Sequence, residues 1–466
     1  MPDIAPFHGL HLDPAKVDLT RALTGAPPVA PPPAAVAPPP APADGPVPAD
    51  RPMPSSGAAA AAPVADDASV ADRRDPHDPA RLLEPGGAAL LDAWLTSGAL
   101  VRDGSPSLYR YVQIGGPGPD GRPLVRRGLI AAVRLTAYSE SRNQPHLRTV
   151  EAARERQLAS LRATRLHATP MTAIYADAAG EVERLLKQIE RERPLLEVTT
   201  PDGVRHQIWR TSNAELIGKI RRSLGPKKLI LGEGHHRYEA MLAWQAELAA
   251  QAGPRGLAQY SAAQYATMAL VEQHDPGLTI EPAHRLLVGL DGFDSKALLA
   301  RAREYFLVDV VPNAARDGAP VERALGDAYG HQPAFVVVIA GEPNGWRFTL
   351  APHVNLAALG IAGHPAVQRL EVTLIHSIVF ERILGIPAAA LEAGAHLRYP
   401  HSTAEALSAV ERGEAQAGFL VPAVRLETIK HVVEVGDVMP ARATRLGPPV
   451  AAGLVMRRVD VDEDLL

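Results

Sequence analysis

The fold of this 466-residue chain is organised around the stretch Lys227-Lys228-Leu229-Ile230-Leu231-Gly232-Glu233-Gly234-His235-His236-Arg237-Tyr238-Glu239-Ala240. Its first half has the pattern of a short buried strand, which breaks at two glycines on either side of an acid. Its second half opens a helix that continues to about Ala250, with mostly apolar side chains at helical spacing along one face. The sequence therefore predicts a strand–turn–helix corner whose helix is anchored to a core.

The corner combines groups that suit an anionic ligand. Its glycines let the backbone turn sharply and approach a ligand closely. The first turn of a helix carries free N–H groups and a partial positive charge, to which His235, His236 and Arg237 are added here. Glu233 lies in the same turn, where a carboxylate can bind Mg²⁺ or take a proton from a hydroxyl. The corner predicts a phosphate or carboxylate site, and the alternative is a structural corner with histidines as surface caps.

Composition excludes several classes of protein. The net charge of −4 argues against general nucleic-acid binding, and the absence of cysteine excludes disulfides, thiol nucleophiles and cysteine-ligated metals. The first residues lack a basic region followed by an apolar core, and no run of eighteen apolar residues occurs. We therefore expect a cytoplasmic protein with neither a secretion signal nor a membrane span.

Four segments are predicted along the chain. Residues 1–24 have apolar side chains able to pack on the core, and residues 25–80 are so rich in Pro and Ala that they predict a disordered tether. Residues 81–290 alternate strands and helices and contain the His-His-Arg corner, and residues 291–466 repeat the same theme. This mixture predicts an α/β or α+β fold with a mixed sheet and a C-terminal α/β part. Pro365–Leu384 is predicted as one long helix.

Other catalytic patterns are lacking. The seventeen histidines include no His-x-x-x-His or His-Glu-x-x-His spacing, and the adjacent His235 and His236 point about 100° apart on a helix. No Gly-x-Ser-x-Gly elbow of a serine hydrolase occurs either. The sequence thus favours the glycine-rich corner as the site, and it leaves a homo-oligomer open.

Motifs spread over nearly the whole folded part resemble the bacterial "domain of unknown function 1015" family. They are Ile4-Ala5-Pro6-Phe7, His146, Arg162-Ala163-Thr164, Gly234-His235-His236-Arg237-Tyr238-Glu239, Asp275-Pro276-Gly277-Leu278, His284-Arg285, His376, Leu384-Gly385-Ile386, Gly436-Asp437-Val438-Met439-Pro440 and Gly453-Leu454-Val455. The Gly-His-His-Arg-Tyr-Glu-Ala box is also similar to the Gly-x-x-Arg-x-x-Ala box of the ParB/sulfiredoxin-like superfamily, which includes an ADP-dependent kinase of free serine. A ParB/sulfiredoxin-like core is therefore the fold that the resemblance implies.

The resemblance implies phosphoryl transfer between a nucleotide, ATP or ADP with Mg²⁺, and a small hydroxy amino acid such as serine or phosphoserine. Glu233, His235 and His236 are then the catalytic candidates, and Glu233 is also the metal ligand. Phosphate contacts would come from Arg237, His146 and His284-Arg285. The implied partners are a small-molecule substrate and a nucleotide.

Several polar positions depart from the pattern of the family. The family usually has Asp at Glu233, Glu at Leu147, Lys-x-Asp-Arg at Arg154–Gln157, Asn at His167 and Val421, Gln-Lys-Ser-Thr at Ala441–Thr444 and a lysine at Pro449. Apolar positions survive where these polar ones have changed, and packing and chemistry are separable demands on a sequence. The second hypothesis is therefore a non-catalytic relative that binds a nucleotide or metabolite. A third, association with DNA, rests on superfamily analogy, and the acidic charge balance argues against it.

Overall fold

A computed structural model describes residues 3–23, 76–117, 121–140, 142–328, 332–400 and 402–465. The predicted tether of residues 25–80 lies outside these ranges except for its last residues. There Pro79–Leu83 form a 3-10 helix whose Leu82 is buried. No helix in the described ranges is long and apolar enough to cross a membrane.

The first sheet is a mixed sheet of nine strands. Its strands are β1 (Ile4–Ala5), β2 (Leu108–Pro117), β3 (Pro123–Arg134), β4 (Asn143–Gln144), β5 (Met171–Tyr175), β6 (Leu196–Thr199), β7 (Arg205–Thr211), β8 (Leu229–Glu233) and β9 (Tyr265–Glu272). They lie in the order β4-β8-β5-β9-β3-β2-β7-β6, and β1 pairs with β3 beyond the end of β2. Most neighbours are antiparallel, but β9 with β5 and β8 with β4 are parallel. The corner strand β8 therefore lies next to the edge of the sheet.

The second sheet has six strands and is covered on both faces. Its strands are β10 (Arg285–Leu287), β11 (Phe306–Val311), β12 (Ala334–Ile339), β13 (Gly345–Leu350), β14 (Leu397–Arg398) and β15 (Ala417–Leu420), in the order β11-β13-β12-β15-β10-β14. Successive side chains of a strand point to opposite faces. Along β12, Phe335 and Val337 pack in one hydrophobic cluster while Val336 and Val338 pack in another. This double burial explains the unbroken apolar run of β12.

Thirteen α-helices occur in the described residues. They are Leu19–Ala22, Gly87–Ser97, Glu151–Thr164, Glu181–Leu186, Ala214–Leu224, His235–Gln251, Ser295–Ala302, Gly318–Ala328, Pro365–Gln368, Glu371–Leu374, Ala388–Glu392, Thr403–Glu411 and Leu426–Glu434. Together with the two sheets they confirm the prediction of a mixed α/β fold.

The prediction of a single helix over Pro365–Leu384 is wrong. The chain forms a short helix to Gln368, and a second one begins at Glu371 and passes into a π-helix over Ile375–Ile383. The break falls at Leu370, whose backbone is extended and whose side chain is buried in the second core. Burial of this leucine is a tertiary demand that overrides the helical periodicity of the sequence.

Both ends of the chain pack in the first hydrophobic cluster. This cluster contains Ile4, Phe7 and Leu10 from the start of the chain and buried residues from Val450 to Leu465 from its end. The chain therefore returns to the first sheet after completing the second one. On the way, the ribbon of Thr279–Glu281 with Arg445–Gly447 passes the end of β8, where Leu446 lies against Gly232. The division into domains at residue 290 stays a prediction.

Candidate functional site

The corner between β8 and the helix His235–Gln251 is built on a glycine that no other residue can replace without strain. Gly234 has φ of +95°, in the left-handed region that side chains with a Cβ disfavour. A Cβ atom at this position would lie only 2.6 Å from Cγ of Met171. The backbone therefore turns abruptly between Glu233, at the end of the strand, and His235, at the start of the helix.

The two histidines at the start of the helix accept hydrogen bonds from the backbone. Nε2 of His235 accepts from the N–H of His146 at 3.4 Å, and Nε2 of His236 accepts from the N–H of Val150 at 2.9 Å. Burial lowers the pKa of both rings, so both are neutral near pH 7. Val150 immediately precedes the helix Glu151–Thr164, so His236 satisfies a donor next to the N terminus of that helix. In this structure the pair holds the segment 146–150 against the corner.

His146 is engaged at both of its ring nitrogens. Nδ1 lies 2.6 Å from the carbonyl of Leu231, to which it donates, and Nε2 accepts from the hydroxyl of Thr444 at 2.7 Å. Burial lowers the pKa of His146 to about 4, so the ring is neutral. This ring thus ties the segment that follows the second sheet to the corner strand.

His284 and Arg285 are placed by the second sheet. Nδ1 of His284 accepts from the N–H of Val421 at 3.1 Å, and burial lowers the pKa of this ring to about 4. The guanidinium of Arg285 donates to the carbonyls of Ala283 and Arg442 and to His376, and burial lowers its pKa to about 10. Neither residue forms a hydrogen bond or ion pair with the corner in the described part of the chain.

The charged surroundings of Glu233 are the main chemical feature of the corner. Burial raises the pKa of the Glu233 carboxyl. The positive charges of Arg126, Arg237 and Arg445 act in the opposite direction, Arg126 most strongly. None of the three guanidinium groups, as the structure describes them, comes within the ion-pair distance of 4.0 Å from this carboxylate. Glu233 is therefore a half-buried acid among positive charges, none of which forms an ion pair with it.

Two of the arginines around Glu233 are oriented by neighbours. Arg237 donates to the carbonyl of Thr169 at 2.5 Å. The Nε of Arg445 lies 3.5 Å from a carboxylate oxygen of Glu281 in the ribbon that covers the end of β8. The helix, the sheet and the ribbon therefore each contribute a charged group to the surroundings of Glu233.

Sequence reasoning missed two buried polar groups near Glu233. Arg126 on β3 is 3% exposed, and its Nη1 has no hydrogen-bond partner among the described residues. Thr172 on β5 is 1% exposed, and its hydroxyl has no partner in the same part of the chain. Thr172 is the register partner of Glu233 across the sheet. No local sequence signal marks either residue, because their relation to Glu233 depends on the pairing of strands that are far apart in the sequence.

The surroundings of Glu233 do not fit a metal held by protein ligands alone. The described residues contain no group of three or more His, Asp or Glu side chains that could hold a metal ion. Glu233 lacks an ion-pair partner among the described residues, whereas the neighbouring Glu281 forms an ion pair with Arg445. A metal ion held by protein ligands alone needs several oxygen ligands. Positive guanidinium groups around a single acid also repel a metal cation and so oppose its binding.

Comparison with known proteins gives one family and several distant structures. A family described as "Protein of unknown function (DUF1015)" matches residues 71–373. A solved structure titled "Free serine kinase in complex with AMP" is 14% identical, with 73% of this chain and 93% of that chain covered and a TM-score of 0.38. A conserved hypothetical protein from Pyrococcus furiosus is also 14% identical, with 73% and 97% covered and a TM-score of 0.36.

A third structure, SbnI with C-terminal truncation from Staphylococcus aureus, is 11% identical, with 70% and 87% covered and a TM-score of 0.34. No curated protein matches this chain. At these identities and TM-scores, the chemistry of the chain has to come from its own residues.

Proposed function

This chain belongs to the DUF1015 family, and we propose that it transfers a phosphoryl group between a nucleotide and a small hydroxy amino acid such as serine, in one or the other direction. The observation that carries the proposal is the half-buried Glu233, which interacts electrostatically with three arginines without forming an ion pair with any of them. Guanidinium groups that are not paired with the acid beside them can pair with the oxygens of a bound phosphoryl group. The nucleotide we expect is ATP or ADP.

The arginines supply the electrostatic part of the reaction. A transferring phosphoryl group spreads negative charge over its oxygens, and fixed guanidinium groups stabilise that charge without reorganising. Arg237 and Arg445 are each held by a protein acceptor, so their orientation is set before a ligand arrives. Positioning of this kind supplies most of the catalysis in phosphoryl transfer.

Glu233 supplies the proton transfer. In the direction of serine phosphorylation it takes the proton of the attacking hydroxyl, and in reverse it returns that proton to the leaving oxygen. Its raised pKa brings the carboxyl closer to neutral pH, which favours general acid–base catalysis. Any Mg²⁺ would enter with the phosphates of the nucleotide, since the corner offers a single carboxylate without a close cation.

The histidines take a positioning role in this proposal. His235 and His236 accept backbone N–H groups, and His146 holds the carbonyl of Leu231 next to the corner glycine. These neutral rings hold the segments around Glu233 through their hydrogen bonds, and the phosphate contacts are left to arginine. His284 and Arg285 belong to the second sheet, where we assign them to packing. The similarity of the glycine–arginine box to ParB/sulfiredoxin-like proteins supports a nucleotide at the start of the helix.

A second candidate function is binding of a nucleotide or metabolite without turnover. It is favoured by the positions at which the family pattern has been lost. Val421, where the family has an amide side chain, offers only its backbone N–H to His284. Pro449, where a lysine is expected, offers only its carbonyl to Gln113. At both positions the polar side chain of the family pattern is missing here, and the hydrogen bond is made by the backbone.

The test is a search for binding and turnover with matched variants. The protein is titrated calorimetrically with ADP, ATP and phosphoserine, with and without Mg²⁺, and product formation is followed in both directions. We expect Glu233→Gln to retain phosphate-dependent binding but to lose at least a hundredfold in turnover, and Arg237→Ala to lose binding. Glu247→Gln, on the outer part of the same helix with an exposed Arg162 as ion-pair partner, is the control and should change neither.

Each result separates the two candidates. Turnover that disappears in Glu233→Gln supports the transferase. Binding without turnover in the unmodified protein supports the binding protein, and no binding of any of the three ligands excludes both.

A further inference from the structure

We infer that Arg126 and Thr172 form an oxyanion subsite beside Glu233, which binds the phosphate group of a phosphomonoester. The inference deepens the proposed function and rests on it for the identity of the reaction. It adds two residues that lie far from the glycine–arginine box in the sequence. It also adds a ligand class, a tetrahedral oxyanion with acceptor oxygens for both an arginine and a hydroxyl.

The register of the sheet places both side chains on the face that carries Glu233. Thr172 is paired on one side with Glu233, which follows a register shift in β8 after Leu231, and on the other side with Ala269. Ala269 is in turn paired with Ile130. Paired residues of neighbouring strands point to the same face, as do residues two or four apart along one strand. Arg126 lies four residues before Ile130 on β3. Arg126, Thr172 and Glu233 therefore share one face of the sheet.

Arg126 differs from the other deeply buried arginines of the described chain. Arg110, Arg285 and Arg457 are each fully buried, and in each of them all three guanidinium nitrogens donate to protein acceptors. Arg126 donates through Nη2 to Gln113, whereas its Nη1 has no partner in the described ranges. A buried donor on a charged group that is left without an acceptor costs free energy. A residue with a purely structural role would not be expected to leave that donor open.

The open donor of Arg126 is held in place by its surroundings. Gln113 accepts from Nη2 and is itself fixed through its amide, which donates to the carbonyl of Pro449 at 2.8 Å. The turn at Gly277 packs directly on the backbone of Arg126, where a Cβ atom would overlap the peptide. A guanidinium clamped on one side presents its remaining N–H groups in a fixed direction, as an oxyanion site requires.

The chemistry of the three groups defines the ligand. Arg126 offers a charged donor and Thr172 a neutral one, so the bound atoms are acceptor oxygens with negative charge. An ionised Glu233 only accepts hydrogen bonds, and it repels an anion. The ligand must therefore bring a hydroxyl group or a proton that Glu233 can accept. A phosphomonoester meets these demands, because its oxygens satisfy the two donors and its ester oxygen is the one that receives or releases the proton.

The experiment measures the binding of inorganic phosphate, because this binding tests the subsite independently of any turnover. The full chain is titrated with phosphate by calorimetry, and its melting temperature is recorded with and without phosphate. We expect Arg126→Gln to weaken phosphate binding at least tenfold and Thr172→Val to weaken it severalfold, while Arg126→Lys retains part of the affinity. Arg127→Gln, the adjacent residue on the opposite face of β3, is the matched control and should bind as the unmodified protein does.

A folding readout is built into the same variants. Because Arg126→Gln also loses the hydrogen bond to Gln113, its melting temperature without phosphate is its own reference, and phosphate should no longer raise the melting temperature above that value. In Arg127→Gln the rise caused by phosphate should persist. Undiminished phosphate binding by both Arg126→Gln and Thr172→Val would overturn the subsite. So would the absence of phosphate binding in the unmodified protein, or equal binding of acetate. Phosphate binding that depends on Arg126 in a protein without turnover would keep the subsite and refute the transferase.

Discussion

Acidification should destabilise this protein well above the pH at which carboxylates protonate, because several buried histidines are neutral in the folded state. Burial lowers the pKa of His146, His206 and His284 to about 4 and that of His376 to about 3. An unfolded histidine has a pKa of about 6.5. For a group with a lowered pKa in the folded state, the contribution to stability is complete above pH 6.5 and is lost as the pH falls towards 4.

The size of the effect follows from these values. Between pH 7.5 and 5.5, a histidine whose pKa falls from about 6.5 to about 4 on folding loses about 1.4 kcal/mol of stabilisation. The four histidines together lose about 5 kcal/mol, which is comparable with the whole unfolding free energy of many proteins. His167 and His235, whose pKa values burial also lowers, act in the same direction.

The assay is urea unfolding followed by tryptophan fluorescence at pH 7.5, 6.5 and 5.5. The midpoint should fall steeply over this range, and His206→Gln should remove about 1.4 kcal/mol of the pH dependence whatever it costs at pH 7.5. His274→Gln, at an exposed position, should leave the pH dependence unchanged. Buried carboxyls with raised pKa values act in the opposite sense, so the single-residue variants isolate the histidine contribution. A His206→Gln protein with the full pH dependence of the parent would refute this reasoning.

Two further variants test the corner. Gly234→Ala should lower the unfolding free energy by about 2 kcal/mol or more, since its φ is +95° and Met171 occupies the space of the new methyl group, whereas Gly180→Ala, with φ of +63° and open surroundings, should cost about 1 kcal/mol. Equal losses in urea unfolding would contradict the steric argument. Thr444→Val should cost about 1–2 kcal/mol because Nε2 of His146 loses its buried donor, and an unchanged midpoint at pH 7.5 would show that this hydrogen bond contributes nothing.

Local sequence was sufficient for most of the secondary structure. The sequence predicts helices over Glu151–Thr164 and Ala214–Leu224, whose periodicity is that of a helix with one buried face, and a strand over the apolar run Met171–Tyr175. The structure has all three elements with these bounds. The prediction of one long helix after Pro365 is wrong at Leu370, because this side chain is buried in the hydrophobic cluster that packs on the second sheet. Periodicity identifies the buried face of an element, and it cannot foresee a break imposed by the neighbouring core.

The corner itself was determined by the sequence, since the strand, the left-handed glycine and the helix are set by residues 229 to 251 alone. Only the tertiary structure decided what surrounds it. His235 and His236 accept hydrogen bonds from the backbone N–H groups of His146 and Val150. Strand register places Arg126 and Thr172 on the face of the sheet that carries Glu233. Those partners lie far away along the chain, and the pairing of distant strands depends on the packing of the whole sheet. The physical reason is that backbone conformation is a local property, whereas the hydrogen bonds and charges of a pocket belong to the assembled fold.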